Sequence, residues 1–78
     1  MQKQRLIKCF VDSLGVESST VEGLTYNSVR QWDSVGHMAL VAAIESEFNL
    51  MLDTDEIIAM SSFSAVSEIL GKHGVASS

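Results

Sequence analysis

Gln31-Trp32-Asp33-Ser34-Val35-Gly36-His37-Met38 is the stretch on which the reading of this chain turns. Asp33 and Ser34 are both good helix N-cap residues, since either side-chain oxygen can accept a first-turn amide that has no partner within the helix. From there to Phe48 there is no proline, and no glycine after Gly36, so the pattern predicts a helix over 34–48. A serine hydroxyl then stands at the positive end of a helix, with an aspartate beside it and a tryptophan just before. That setting suits a serine carrying a phosphate ester, and it suits an ordinary capped helix equally well. Spacing alone does not choose between them.

At about 100° per residue, Leu40, Val41, Ile44 and Phe48 gather on one arc of this helix, with His37 among them. That arc is the expected core face. Val35, Met38, Ala39 and Ala42 fall on roughly the opposite side with Ser46, and Glu45 and Glu47 lie on the flanks. A surface helix is expected to be polar where it leaves the core, yet this one is small and apolar there. Either the helix is sandwiched on both sides, which so short a chain can hardly arrange, or the second face docks a partner. The docking reading is preferred.

Working outward, residues 3–14 form a second helical pattern. Leu6, Ile7, Phe10, Val11 and Leu14 share a face opposite Arg5, Lys8 and Asp12, and Gly15 follows as the natural left-handed stop. Cys9 is expected on the polar side as a free thiol at the surface edge, with no His or cationic cluster to activate it. Residues 16–33 lack periodicity and read as a long ordered loop pinned by Val16, Val21, Leu24, Tyr26 and Val29, with Trp32 packing partly against the domain. Downstream, Asp53 and Glu56 have capping-box spacing and open a short helix over 54–60. Ser62 caps a last helix over 63–72, which Gly71 or Gly74 ends, leaving Val75-Ala76-Ser77-Ser78 to fray. The expected fold is all-α: one domain spanning 1–78, a small four-helix bundle of three main helices and one short one with a long first loop.

Composition narrows the function classes. With 78 residues, 46% of them hydrophobic, the chain has a small but real core and is no disordered tail. It has no apolar run long enough to cross a bilayer and no signal-peptide pattern, so the expectation is a cytoplasmic protein without membrane insertion. A net charge of −5 argues against nucleic acid and favours basic protein surfaces as partners. The lone Cys9 forms no internal disulfide, and no Cys/His spacing suits zinc. There is no phosphate-binding glycine loop or dinucleotide fingerprint. Ser34, His37 and Asp33 are close in sequence, but a Ser and a His three apart at a helix start are poorly set for proton transfer, and so small a chain lacks room for a substrate pocket and oxyanion site. A non-catalytic protein is expected, with His37 a partly buried helix residue and His73 a last-turn residue favoured by the helix dipole.

Trp32-Asp33-Ser34-Val35-Gly36-His37-Met38, followed by Leu40-Val41 and by Ile44-Glu45-x-Glu47-Phe48, resembles the acyl carrier proteins, above all the stand-alone carriers with tryptophan before the Asp-Ser pair. The resemblance continues through Asp55-Glu56-Ile57 and Ser61-Ser62 and covers roughly residues 24–70. Asp-Ser alone is a weak pattern; at the head of a helix ending Glu-x-Glu-Phe in a small acidic chain it is a strong one. The resemblance implies an acyl-carrier bundle in which Ser34 bears 4′-phosphopantetheine, transferred from coenzyme A by a magnesium-dependent phosphopantetheinyl transferase. The arm's thiol then holds acyl groups as thioesters.

By the same resemblance, Val35, Met38, Ala39 and Ala42 would press against partner enzymes that activate, condense or transfer acyl groups. Asp33, Glu45, Glu47, Asp55 and Glu56 would offer charge to their basic docking surfaces. His37, with Leu40, Val41 and Ile44, would border a cavity for the acyl chain, in a protein acting as a monomer. Departures are informative. Gln31 stands where the family commonly has glycine, Val35 replaces the usual leucine, and Ala39 and Ser46 stand where carriers of fatty acid synthesis have acidic residues. These point away from housekeeping fatty acid biosynthesis and towards a dedicated pathway for a polyketide, an amino acid or a modified lipid. An aminoacyl or peptidyl carrier shares the bundle and arm but commonly has Gly-Gly-x-Ser, and an unmodified helical adaptor is the alternative outside the carrier class.

Overall fold

The computed structural model describes residues 2–75. Its helices are α1 (Gln2–Leu14), a 3-10 helix (Ser18–Gly23), α2 (Ser34–Phe48), α3 (Thr54–Ala59) and α4 (Phe63–Lys72). The described residues contain no strand, only an isolated bridge between Thr25 and Ser62. The fold is therefore a small all-α bundle, as the hydrophobic pattern predicts. None of these helices is long and apolar enough to cross a membrane.

Local chemistry explains most helix ends. Gly15 takes φ +69° and donates its amide to Val11, closing α1. Asn49 closes α2 in the same left-handed region, at φ 53°, with its amide on Glu45. The Glu56 carboxylate accepts the Asp53 amide at 3.0 Å, and the Ser62 hydroxyl accepts that of Ala65 at 3.0 Å. The short helix stops at Ala59, one residue before the expected end. After α4, Gly74 at φ +85° lets Val75 return its amide to Leu70 at 3.0 Å, so Val75 is tied down where fraying was expected. Residues 76–78 lie outside the described part.

α1 and α2 run antiparallel. At one end Arg5 Nε meets Glu47 Oε2 at 2.6 Å, its Nη2 donates to the Glu47 carbonyl, and the guanidinium lies over the Phe48 ring at 4.8 Å. At the other end Leu14 reaches Gly36. Phe10, Trp32, Leu40, Ile44, Met60, Val21 and Val66 are fully buried between the layers. Phe10 joins them, edge-on to Trp32 at 5.3 Å and tilted on Phe63 at 5.4 Å.

Three expectations need correction. Cys9 is not at the surface edge: it is 5% exposed, with its thiol towards the Ala43 carbonyl of α2. α2 packs on the Leu6-Cys9-Phe10-Leu14 side of α1, which leaves Ile7 and Val11 only half-buried. Trp32 is not partly packed but wholly buried. The 16–33 segment is not loop throughout, since Ser18–Gly23 winds into a 3-10 helix that buries Val21 against α1 and α4. Its second half is stitched to the α3–α4 junction by Tyr26 N–H to Ser61 at 2.8 Å and Phe63 N–H to Leu24 at 3.1 Å. Those bonds fix Tyr26 and Trp32 beside the start of α2.

Candidate functional site

Of the two possible caps, Asp33 takes the role. Its backbone is extended, its Oδ1 accepts the Gly36 amide at 2.8 Å, and its carbonyl accepts the His37 amide at 2.7 Å. Ser34 is thereby the first residue of α2. It is exposed, and its hydroxyl has no hydrogen-bond partner among the described residues. The cap thus leaves the serine oxygen without a partner among the described residues, at the positive end of a 15-residue helix.

Two apolar features flank Ser34. On one side Val35 (78% exposed), Met38 (56%), Ala39 and Ala42 form an uncovered strip along α2. The alternative of a helix sandwiched on both sides is therefore excluded. Ile58 of α3, 74% exposed, adds to the uncovered apolar surface. On the other side an open cleft of about 370 Å³ runs between α2 and α3. Ser34, His37 and Met38 line it from α2, Ile57, Ile58, Met60 and Ser61 from α3 and its exit, and Tyr26 from the loop.

His37 is held by both ring nitrogens. Trp32 Nε1–H donates to Nδ1 at 2.9 Å, and Nε2 lies 2.7 Å from the Ile57 carbonyl oxygen. An indole N–H only donates and a carbonyl only accepts, so Nδ1 accepts, Nε2–H donates, and the imidazole has no lone pair left for Ser34. The imidazole lies beside the Trp32 indole and nearly parallel to it, with ring centroids 6.2 Å apart, and Tyr26 meets both rings edge-on.

The other predicted site residues separate. Leu40, Val41 and Ile44 are core residues and do not line the cleft that Ser34 and His37 share. Asp33 and Asp55 are exposed near the helix starts. Glu45 is half-buried and accepts the Leu52 amide at 2.9 Å, holding the connection into α3. Glu47 is bound to Arg5, about 20 Å along the helix from Ser34 at 1.5 Å per residue. Glu56 faces His73 at 3.0 Å, and its pKa is lowered first by the Asp53 amide and then by His73. So His73 ties α3 to the end of α4 rather than serving the helix dipole alone.

Tyr26, Ile57, Ile58, Met60 and Ser61 enter the site without having been singled out for it in the sequence. Tyr26 lies in a stretch without periodicity, which carries no signal. Ile57 and Ile58 point about 100° apart on the short α3, and only Ile57 packs against the core while Ile58 is left 74% exposed, a difference the sequence does not announce. Among the described residues, no group of three or more His, Cys, Asp or Glu side chains is placed to hold a metal. Burial pushes the Cys9 thiol up to about 11, so it is no nucleophile at neutral pH. No family model, no curated protein and no solved structure matches this chain.

Proposed function

We propose that the chain is an acyl carrier protein, with Ser34 as the attachment point for a 4′-phosphopantetheine arm. The observation that carries the reading is the free Ser34 hydroxyl at the first position of α2, standing between an uncovered apolar strip and an apolar cleft. It gives physical content to the resemblance of the Trp32–Met38 stretch to acyl carriers. The residues present fit the group. Asp33 does the capping, so esterifying Ser34 breaks no hydrogen bond that the helix start depends on. The phosphodiester gains the field of the helix N-terminus, and Val35, Met38 and Ile58 offer apolar surface to the arm. When bound, the arm supplies a thiol that holds an acyl group as a thioester.

The chain's own residues present and deliver that arm. Asp33 and Gly36 fix the direction of the helix start, and Val35, Met38, Ala39 and Ala42 form the face that meets the transferase and the acyl-handling enzymes. Exposed Asp33 and Asp55 bring negative charge to their basic docking surfaces, setting encounter rate more than affinity. Ala39 and Ser46, in place of acidic residues, keep the reading of a dedicated biosynthetic pathway. The protein is proposed to work as a cytoplasmic monomer. Intact mass spectrometry after incubation with coenzyme A and a broad-specificity transferase tests this. One arm-sized gain, lost in Ser34→Ala, is expected; no gain with a validated transferase would favour an unmodified adaptor.

A further inference from the structure

Ile58 depends on others for its position. It belongs to α3, six residues long, none of them fully buried. A helix that short does not hold itself in water, and its last carbonyls have no partners within it. The Ile57 carbonyl accepts His37 Nε2–H at 2.7 Å, and among the described residues this is the one hydrogen bond that joins α2 to α3. The bonded peptide is the unit that links Ile57 to Ile58, so the bond holds the backbone from which Ile58 projects. The imidazole is aimed in turn by the core. Wholly buried Trp32 donates its indole N–H to Nδ1 at 2.9 Å, which keeps Nε2 as the donor, and Tyr26 packs edge-on against the ring at 5.5 Å.

We infer that His37 is a positioning residue for arm transfer. By fixing the Ile57–Ile58 peptide it keeps Ile58 beside Met38 and Val35, so that the transferase meets one apolar surface spanning α2 and α3. All three side chains are largely exposed, and Ser34, Met38 and Ile58 border the same cleft. Both imidazole nitrogens are bonded elsewhere than to Ser34, so His37 acts through Ile58 and not on the serine. The inference rests on the carrier reading. Freeing α3 should weaken docking and leave the chemistry alone, which raises KM and spares kcat.

The test measures KM and kcat of the full, arm-free chain as substrate of a broad-specificity transferase with coenzyme A, product being read by mass. His37→Asn carries a shorter amide that can still accept from the Trp32 N–H but does not reach the Ile57 carbonyl. It should raise KM several-fold at unchanged kcat. His37→Gln places an acceptor and a donor on one longer group and should restore most of the wild-type KM. Ile58→Ala should raise KM several-fold in the wild-type chain and have little further effect in His37→Asn, because residues that act as one unit are not additive. A wild-type KM in His37→Asn, no recovery in His37→Gln, or additive effects of His37→Asn and Ile58→Ala would overturn the inference. Should His37→Asn fail to fold, Ile58→Ala decides: a several-fold rise in KM supports the inference and an unchanged KM overturns it. Absence of any mass gain would instead sink the carrier reading, and this inference with it.

Discussion

Gly36 faces the backbone carbonyl of Gln31 so closely that a Cβ on it would lie 2.0 Å from that oxygen and 3.1 Å from Leu14 Cδ2. Neither can retreat easily. Gln31 precedes the buried Trp32, and Leu14 is a core residue of α1. Gly36 is therefore what lets the loop that carries Trp32 pass tightly under the first turn of α2, and so what sets Ser34 where it stands.

The consequence is opposite to helix propensity. Alanine is favoured over glycine inside a helix by about 1 kcal/mol. Gly36→Ala should nevertheless lower stability, by about 1–3 kcal/mol, because overpacking against a backbone carbonyl outweighs that gain. Gly71→Ala in α4, where a Cβ would meet nothing within 4 Å, should instead be neutral or stabilising. Urea midpoints of the two variants give the comparison. Equal stabilisation by both would refute the role given to Gly36.

The adjacent Asp33 and Ser34 should separate cleanly by substitution. Asp33→Ala loses the bond to the Gly36 amide and should cost about 1 kcal/mol of stability. Ser34→Ala removes an exposed hydroxyl without a partner among the described residues and should change stability by less than about 0.5 kcal/mol. On the carrier reading Ser34→Ala also abolishes arm attachment. A stability loss in Ser34→Ala as large as in Asp33→Ala would mean that the two share the cap.

Acid should act on the α3–α4 contact through Glu56. Its folded-state pKa is lowered below the ordinary 4.5, first by the Asp53 amide and then by His73. A depressed carboxyl adds stability that is fully present above the unfolded value and is lost as pH falls through the folded one. The stability advantage of the wild type over Glu56→Gln should thus be present above 4.5 and shrink on the acid side of it. Trp32 fluorescence in urea, followed as a function of pH, measures it. An advantage that persists unchanged into strong acid would show that the carboxylate charge is not what matters.

What could be read from the chain was what local chemistry decides. Asp53, Ser62 and Gly15 mark helix ends because caps and left-handed stops need only near neighbours. The uncovered strip of Val35, Met38, Ala39 and Ala42 was legible because it breaks the rule for surface helices. What could not be read depends on distant partners. Whether α1 buries Cys9 or Val11 is decided by which side α2 occupies. The 3-10 helix leaves no apolar periodicity, and the acceptor for His37 is a backbone carbonyl 20 residues away, which no side-chain pattern announces. The cleft at Ser34 is lined from α2, α3 and the loop together and was out of reach for the same reason, although His37 itself was expected to border a cavity.

Cys9 offers a last test that connects the core to the proposed arm. The residue is 5% exposed, and burial, with smaller contributions from Glu47 and Asp12, pushes the thiol pKa up to about 11. Alkylation needs a thiolate that the reagent can reach, and native Cys9 provides neither the charge nor the access. At neutral pH the arm-free chain should therefore resist iodoacetamide when folded and react promptly in urea. After transferase treatment the folded protein should gain one alkyl group, on the arm thiol, and a treated Cys9→Ala variant should gain the same one. Rapid labelling of the folded, arm-free chain would show that Cys9 opens to solvent easily, and that α1 does not hold on α2 as tightly as the Arg5–Glu47 and Cys9–Ala43 contacts imply.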